Sequence, residues 1–515
     1  MTTKQRFYFR SFAAGGSPDP AVYCPANGYL PPYTYFESPI EVTTVSSESI
    51  VFILDTDIGF VLDKMTVGSD ISCNVIFDFY DETDTLIGSG SQAVTGGSFV
   101  AINQTIPAST SQYVKCIATL SNGSAVFNKL YSNISTISTA GIVAIFANTP
   151  NLAGSVNFRA HIALKKVEFL STLNYVSDMN YLFSLCGVEK FTMPVSMPAL
   201  TSMQYCIYYS TIKEFIFPPG FSAPLLTDIF AFGRNSTKIT SFVLPNIPSL
   251  LQINLLFYLS TIKSLTITTG TNLDTVSQIL EGNTEIEEIE LPSFPIFTTG
   301  TRLFYGCTNL KKITLNGIWA KTSNDWLANC SLLRELHYPR TLSAHLSSLT
   351  NTTTIINLSI LHVPDYFNFD ATLSQMNYYF FLYTGTVANK IKKVYGDAEF
   401  ATGDLPLLTY NATYYKQYLE EVNLPKLRVS KISIGTNSTT FKMQRLSVLA
   451  IDWANSSYSG TSPQIQLAAP LDATWLNAMF TALPTVTSKT IDVRYCDGYA
   501  TCDPTIATAK GWTVL

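Results

Sequence analysis

Charged side chains are scarce in this sequence. Of its 515 residues, 32 are basic and 37 acidic, which gives a net charge of −5. A chain without a basic surplus lacks the attraction for phosphate that nucleic-acid binding requires, so we expect no nucleic-acid partner. No apolar run reaches the ~18 residues of a membrane span, so we expect no membrane insertion.

The motifs of known catalytic sites are also missing. The sequence contains four histidines and no G-x-S-x-G elbow, phosphate-binding loop, G-x-G-x-x-G or H-E-x-x-H motif. A glycoside hydrolase would need paired carboxylates at a useful separation, and Glu288 and Glu290 lack such partners. We therefore expect no enzymatic activity, no cofactor and no metal centre.

Nine cysteines, an odd number, are spread mostly singly along the chain. This spacing argues against a disulfide framework and indicates small buried apolar residues. Cys496 and Cys502 are the one plausible local pair.

Aromatic residues crowd the first segment, residues 1–40, among glycine and proline and without a period of two or 3.6. Such a segment cannot form its own core, so we predict an extended anchoring arm that lies on this protein's next domain or on another subunit. The residues expected to anchor it include Phe7, Tyr8, Phe9, Phe12, Tyr33 and Tyr35.

Short runs of β-forming residues follow in residues 41–137, for example Ser49–Leu54 and Asn74–Tyr80. Turn-forming residues separate these runs, which favours a β-sandwich. The acidic turn at residues 81–84 is either solvated or a calcium site, and the pattern favours the solvated turn.

A repeat then begins at Leu164. Its template is L-x-x-φ-x-φ, where φ is a large apolar residue, and it recurs about every 24 residues, as leucine-rich repeats do. Proline often follows the predicted strand, as at Pro194 and Pro245, and ends its pairing. We predict a leucine-rich-repeat solenoid over residues 138–485 and a capping repeat over residues 486–515.

The segment Phe304–Leu315, with its F-x-x-C-x-x-L-x-x-I-x-L phrasing, resembles the BspA-like leucine-rich repeats of bacterial surface proteins. Residues 496–515 resemble the ending of repeat proteins from Bacteroidetes-type bacteria and from tailed phages that infect such hosts. In that ending a short helix and a final strand close the solenoid, and Asp503, Pro504 and Gly511 fit the start and end of the helix. The segment after Cys496 departs from the family pattern, which leaves a Cys496–Cys502 disulfide open.

One side chain in each predicted strand should point outward between the two buried positions. These residues form a candidate binding ladder: Thr192, Ile216, Val243, Thr266, Glu290, Thr314, His337 and His362. His337 and His362 should lie on adjacent rungs, where they could bind a metal, sense pH or simply face solvent. The pattern favours two solvent-facing residues, because no third ligand completes a metal site.

The predicted fold is mainly β with short helices, ordered as arm, β-sandwich, leucine-rich-repeat solenoid and C-terminal cap. The amino terminus lacks the pattern of a signal peptide although the composition is typical of a surface protein. We therefore expect a non-enzymatic virion structural protein of a tailed bacteriophage, such as a fibre, spike or decoration protein. Its expected partners are other virion proteins, a host surface protein or glycan, and further copies of itself. The alternative is a bacterial cell-surface adhesin.

Overall fold

The polypeptide divides into two compact units, residues 1–226 with 235–239, and residues 227–234 with 240–515. The structure, a computed structural model, describes residues 40, 42, 45–56, 65–132, 141–268, 272–296, 300–319, 327–338, 341–342, 360–362, 366–367, 392–396, 399–400, 407–410, 418–435, 442–459 and 462–515. The predicted anchoring residues of the arm lie outside these ranges.

The first unit is built from strands alone in its described part. They are β1 (Ser49–Asp55), β2 (Met65–Ser69), β3 (Cys73–Tyr80), β4 (Leu86–Val94), β5 (Phe99–Ala101), β6 (Tyr113–Leu120), β7 (Phe127–Ser132), β8 (Ile142–Asn148), β9 (Ala153–Asn157), β10 (Lys166–Phe169), β11 (Tyr175–Asp178), β12 (Lys190–Thr192) and β13 (Glu214–Ile216).

Two sheets of this unit support the predicted β-sandwich. One has the strand order β10-β8-β1-β6-β3-β4, and the other has the order β11-β9-β7-β2-β5. Alternate residues of β3 are buried, among them Val75, Phe77 and Phe79, as the period-two pattern of its sequence predicts.

The pairing within each sheet changes direction where the repeats begin. β8 runs antiparallel to β1 but parallel to β10, and β9 runs parallel to both β7 and β11. The first repeat strands therefore extend the two sheets of the sandwich. This pairing covers a strand edge that an uncapped repeat array would expose.

The second unit consists mainly of short parallel strands. They are β14 (Ser241–Leu244), β15 (Gln252–Asn254), β16 (Ser264–Ile267), β17 (Thr275–Ser277), β18 (Glu288–Leu291), β19 (Lys312–Leu315), β20 (Ile318–Trp319), β21 (Glu335–His337), β22 (Thr341–Leu342), β23 (Ile360–His362), β24 (Tyr366–Phe367), β25 (Lys393–Tyr395), β26 (Glu399–Phe400), β27 (Leu407–Tyr410), β28 (Glu421–Asn423), β29 (Lys431–Ile434), β30 (Val448–Ala450), β31 (Ile465–Leu467), β32 (Lys489–Asp492) and β33 (Trp512–Val514).

Each repeat forms one turn of the solenoid, which we call a coil. Strands of successive coils pair in parallel ladders, which confirms the predicted solenoid fold. The longest has the order β18-β19-β21-β23-β25-β28-β30, and a second has the order β27-β29-β31-β32-β33. The φ positions of the template fill the core, as Ile289, Ile313 and Leu336 show by their burial. Burial of one such side chain contributes roughly 1.5–3 kcal/mol.

Buried thiols connect successive coils. Cys307 Sγ donates to Leu280 O at 3.0 Å, and Cys330 Sγ donates to Phe304 O at 3.0 Å. Burial raises the pKa of the Cys330 thiol to about 12, so it remains a protonated donor at neutral pH and is unreactive. In the first unit, the hydroxyl of Ser236 makes the equivalent hydrogen bond to Ile207 O.

Because serine occupies this position in another coil, Cys330→Ser is expected to change the free energy of unfolding by less than about 1 kcal/mol. Cys330→Val is the matched apolar control. It removes the donor to the buried Phe304 carbonyl and is expected to cost about 1–3 kcal/mol. Hydrogen exchange across residues 300–338 measures the local stability of both variants. Equal protection in the two would show that the hydrogen bond from Cys330 contributes nothing to stability.

Two helices lie near the C terminus, α1 (Ala473–Ala482) and α2 (Thr505–Thr508). Asp472 caps α1 by accepting from Trp475 N at 2.7 Å. The predicted helix and final strand are present as α2 and β33, and Asp503 Oδ1 accepts from Thr505 N at 3.0 Å. Lys510 Nζ donates to Leu483 O at 2.8 Å and to Phe480 O at 3.4 Å. A cation therefore lies at the negative end of the α1 dipole.

Cys496 and Cys502 are both free thiols. Cys496 Sγ donates to Leu467 O at 3.4 Å, whereas Cys502 Sγ donates to Tyr499 O at 3.2 Å. The pair that the sequence leaves open is thus unbonded in the structure. Neither described helix is long and apolar enough to cross a membrane.

Candidate binding surfaces

Parallel pairing sets the candidate ladder in register. In the second unit, Glu290 lies opposite Thr314, and Thr314 opposite His337. His337 lies opposite His362, as the repeat spacing predicts. Val243 and Thr266 form a separate pair on β14 and β16. In the first unit, Thr192 pairs with Ile216.

The described ladder side chains face outward to different degrees. Thr192, Val243, Thr266 and Glu290 are exposed, whereas Ile216, Thr314 and His337 are half-buried. The side chain of His362 is outside the described set. Whether this ladder binds a partner stays a prediction.

Neighbouring coils pair most of the charges beside the ladder. In the first unit, Lys190 Nζ lies 2.7 Å from Glu214 Oε2. In the second, Lys312 Nζ lies 2.8 Å from Glu335 Oε1, and Lys393 Nζ lies 3.2 Å from Glu421 Oε2. Exposed pairs of this kind contribute roughly 0–1 kcal/mol each. These pairs cancel much of the charge on the strand face that carries the ladder.

The most connected point of the ladder is His337. Its Nε2 lies 2.5 Å from Glu335 Oε1 and 3.5 Å from the Tyr395 hydroxyl. Partial burial disfavours the charged form of Glu335, but hydrogen bonds from Lys312 and His337 outweigh it and lower the pKa of this carboxyl. Tyr395 is missing from the predicted ladder, although its place directly after the buried Val394 matches the template.

No group of three or more histidine, cysteine or acidic side chains in the described ranges is placed to hold a metal ion. At the acidic hairpin, Asp81 Oδ1 instead accepts from Thr83 N at 2.8 Å and from Thr85 N at 2.9 Å. The hydrogen bonds from Thr83 and Thr85 lower the pKa of Asp81. This carboxylate therefore stabilises a turn, as the sequence pattern favours.

A second surface, which we call the tyrosine surface, lies on the turns of the first unit. It comprises Arg159, Tyr181, Tyr205, Tyr208 and Tyr209. The Arg159 guanidinium lies 4.6 Å from the centre of the Tyr181 ring, and the Tyr181 and Tyr205 rings are stacked with centres 5.1 Å apart and planes 2° from parallel. Tyr208 contacts both Tyr205 and Tyr209 edge-on. Mutual contact fixes the rings in place and leaves Tyr209 38% exposed.

The backbone at this surface is unfavourable for large side chains. Tyr181, Tyr205 and Tyr209 have φ angles of 59°, 52° and 51°, in the left-handed region that costs a side chain with a Cβ roughly 1–2 kcal/mol. Other coils place Asn235 or Gly306 at the position of Tyr209, but also Leu185 and Leu259, whose φ angles are 55° and 52°. The left-handed φ is thus a property of the repeat turn, and what distinguishes this surface is that its side chains are aromatic. The repeat template did not predict this surface, because the template describes strand positions and these tyrosines lie in the turns.

A smaller arrangement of the same kind occurs in the second unit. The guanidinium of Arg302 lies 5.0 Å from the Tyr305 ring centre, and that of Arg234 lies 5.0 Å from the Tyr258 ring centre. Arg302 Nη1 also lies 3.7 Å from Glu281 Oε1. Arginine paired with tyrosine is thus a recurring feature of the turns.

Comparison with known proteins bears on the repeats. Residues 143–247 and 227–356 match the family described as BspA type Leucine rich repeat region, in six copies. A crystal structure of a leucine-rich repeat protein from Eubacterium ventriosum aligns with 15% identity over 44% of this chain and 79% of its own, with a TM-score of 0.20. No curated protein matches the chain significantly. The similarity to BspA-type leucine-rich repeats therefore lies in residues 143–356.

Proposed function

We propose that this protein is a non-enzymatic virion structural protein of a tailed bacteriophage, in which the repeat region contacts the host surface or a neighbouring subunit. The observation that carries the binding role is the tyrosine surface. The virion assignment is supported by the resemblance of residues 496–515 to the endings of repeat proteins from such phages.

Tyrosine and arginine are the residue types that contribute most at protein recognition surfaces. A tyrosine offers a large amphipathic area and loses little conformational freedom on binding, because it has only two side-chain torsions. The stacked rings of Tyr181 and Tyr205 are already ordered, which lowers the entropy lost when a partner binds. The phenol groups suit the polar groups of a host protein or glycan.

The chemistry of the ladder favours binding over catalysis. The carboxyl of Glu335 is held by Lys312 and His337, and its lowered pKa makes it a poor proton donor at neutral pH. These charges stabilise neighbouring coils instead of being poised to transfer a proton.

The first experiment measures binding of the fluorescently labelled full chain to cells of Bacteroidetes-type bacteria by flow cytometry. The double variant Tyr205→Ala with Tyr209→Ala is expected to lower the bound signal at least tenfold, the effect of losing about 1.4 kcal/mol. Tyr175→Ala is the matched control, because this tyrosine is 57% exposed but lies on β11. Equal loss in both variants, or no loss in either, would contradict binding through the tyrosine surface.

A bacterial cell-surface adhesin is the second candidate, and the BspA-type repeats favour it. Immunogold electron microscopy of a bacterial culture that produces this protein, before and after phage induction, separates the two candidates. Label on particle tails or heads supports the virion protein. Label on cell envelopes, with none on purified particles, would establish the adhesin instead.

A further inference from the structure

Strand β4 forms one end of the six-stranded sheet of the first unit. It pairs with β3 from Val94 opposite Cys73 to Gly88 opposite Phe79, and after a bulge at Ile87 it pairs again at Leu86 opposite Tyr80. Within the described ranges no strand pairs with its other side. An edge strand presents a row of backbone N–H and C=O groups that can pair with another chain.

Apart from the bulge at Ile87, this edge lacks the usual protection against such pairing. Its nine residues, Leu-Ile-Gly-Ser-Gly-Ser-Gln-Ala-Val, include no charged residue and no proline. The strands at the other sheet ends of this unit are shorter, and two of them carry charge: β5 has three residues, β10 contains Lys166 and Glu168, and β11 ends in Asp178. Among the described sheet ends of this unit, a nine-residue edge without charge is therefore particular to β4.

The inner face of β4 is already covered. A Cβ added at Gly90 would lie 2.0 Å from Gln104 Oε1, and one at Gly88 would lie 2.7 Å from Pro107 Cγ. Gln92 Nε2 also donates to Ala101 O at 2.8 Å. The inner face of the strand thus packs against its own unit. Its backbone edge and the exposed side chains of Ser91 and Ala93 remain accessible.

We propose that β4 is a self-association strand, and that β4 of a second copy pairs with it antiparallel about a two-fold axis. Antiparallel pairing of identical strands is self-complementary, because each donor of one copy meets an acceptor of the other. The small uncharged side chains create no repulsion when the same residues face each other across the axis. The two six-stranded sheets would then become one continuous sheet.

The contact would be limited in size. Stable interfaces bury at least about 1,200 Å² in total, and two nine-residue strands with mostly small side chains provide less. The dimer should therefore depend on concentration in solution. It would strengthen wherever copies are held close together, because a local concentration favours a weak contact.

Sedimentation of the full chain over a wide concentration range tests this proposal. The double variant Ser91→Lys with Ala93→Lys places two cations on each copy at the edge and is expected to lower the association constant at least tenfold. The control, Ala108→Lys with Ser124→Lys, adds the same charges at exposed positions outside the strand. It is expected to associate like the natural chain.

Hydrogen exchange of residues 86–94 identifies the contact directly. Their amides are expected to gain protection as concentration rises, and to lose this gain in the Ser91→Lys, Ala93→Lys variant. A chain that stays monomeric at all concentrations would overturn the proposal. So would a dimer insensitive to those lysines, or an edge that is already protected in the dilute monomer and is therefore covered by its own chain.

Discussion

Gly511→Ala is expected to unfold the C-terminal cap. Gly511 has a φ of 84°, and an added Cβ would lie 1.9 Å from Val486 O. The left-handed φ costs roughly 1–2 kcal/mol, and forcing a carbon against fixed backbone costs about 1–3 kcal/mol more. The residue directly precedes β33 and follows Lys510, so a shift here disturbs both the last strand pairing and the capping of α1.

The matched control is Gly97→Ala. Gly97 has a similar φ of 73°, but an added Cβ would meet nothing within 4 Å. The Gly97→Ala variant should therefore lose only roughly 1–2 kcal/mol of folding free energy, the cost of a left-handed φ for alanine. Hydrogen exchange of residues 486–515 and of residues 86–101 reports the two local effects. If both glycines lost equal protection, the close approach to Val486 would have no energetic role.

Phe183→Ala is expected to destabilise the first unit by about 3–5 kcal/mol. Its ring is fully buried, with its centre 6.1 Å from that of Phe158 and 4.8 Å from that of Phe191. These rings belong to successive coils, so the cavity would weaken the contact between coils as well as the core of one. Denaturant unfolding followed by circular dichroism measures the loss.

Phe99→Ala removes the same atoms from an exposed site. Phe99 is 56% exposed and meets the Tyr131 ring edge-on, with centres 5.6 Å apart. Such a contact is worth about 0.5–1.5 kcal/mol, so the variant should unfold at nearly the natural denaturant concentration. Equal shifts for the two variants would show that the buried ring contacts of Phe183 are not what stabilises the unit.

The repeat was predictable because its strands obey a fixed spacing of buried positions. That spacing also fixes which residues face each other, so the pairing of His337 with His362 followed from the sequence. The change from antiparallel to parallel pairing at β8 was not predictable, because backbone hydrogen bonds between distant strands leave no local pattern. Helix α1 was also missed, although Asp472 and the buried Leu476, Met479 and Phe480 follow helical spacing.

The tyrosine surface was harder to predict for a different reason. Its rings sit in turns, where hydrophobic periodicity carries no information. The only pattern is that Tyr181 and Tyr205 recur at the same place in consecutive coils. Seeing that they stack requires the geometry of the turn, which brings equivalent residues of neighbouring coils into contact.

The pairing of β8 with β1 has a consequence for the order in which the chain acquires its structure. A parallel coil strand has no partner close in sequence, and forming its first long-range contact is slow. β1 and its antiparallel partner β6 are synthesised before β8 and can already be joined when β8 emerges. If folding begins at the sandwich, the first coils can add to its strands one after another during translation. A destabilising substitution in β1 should therefore impair folding of these coils more than one in β10 impairs folding of β1.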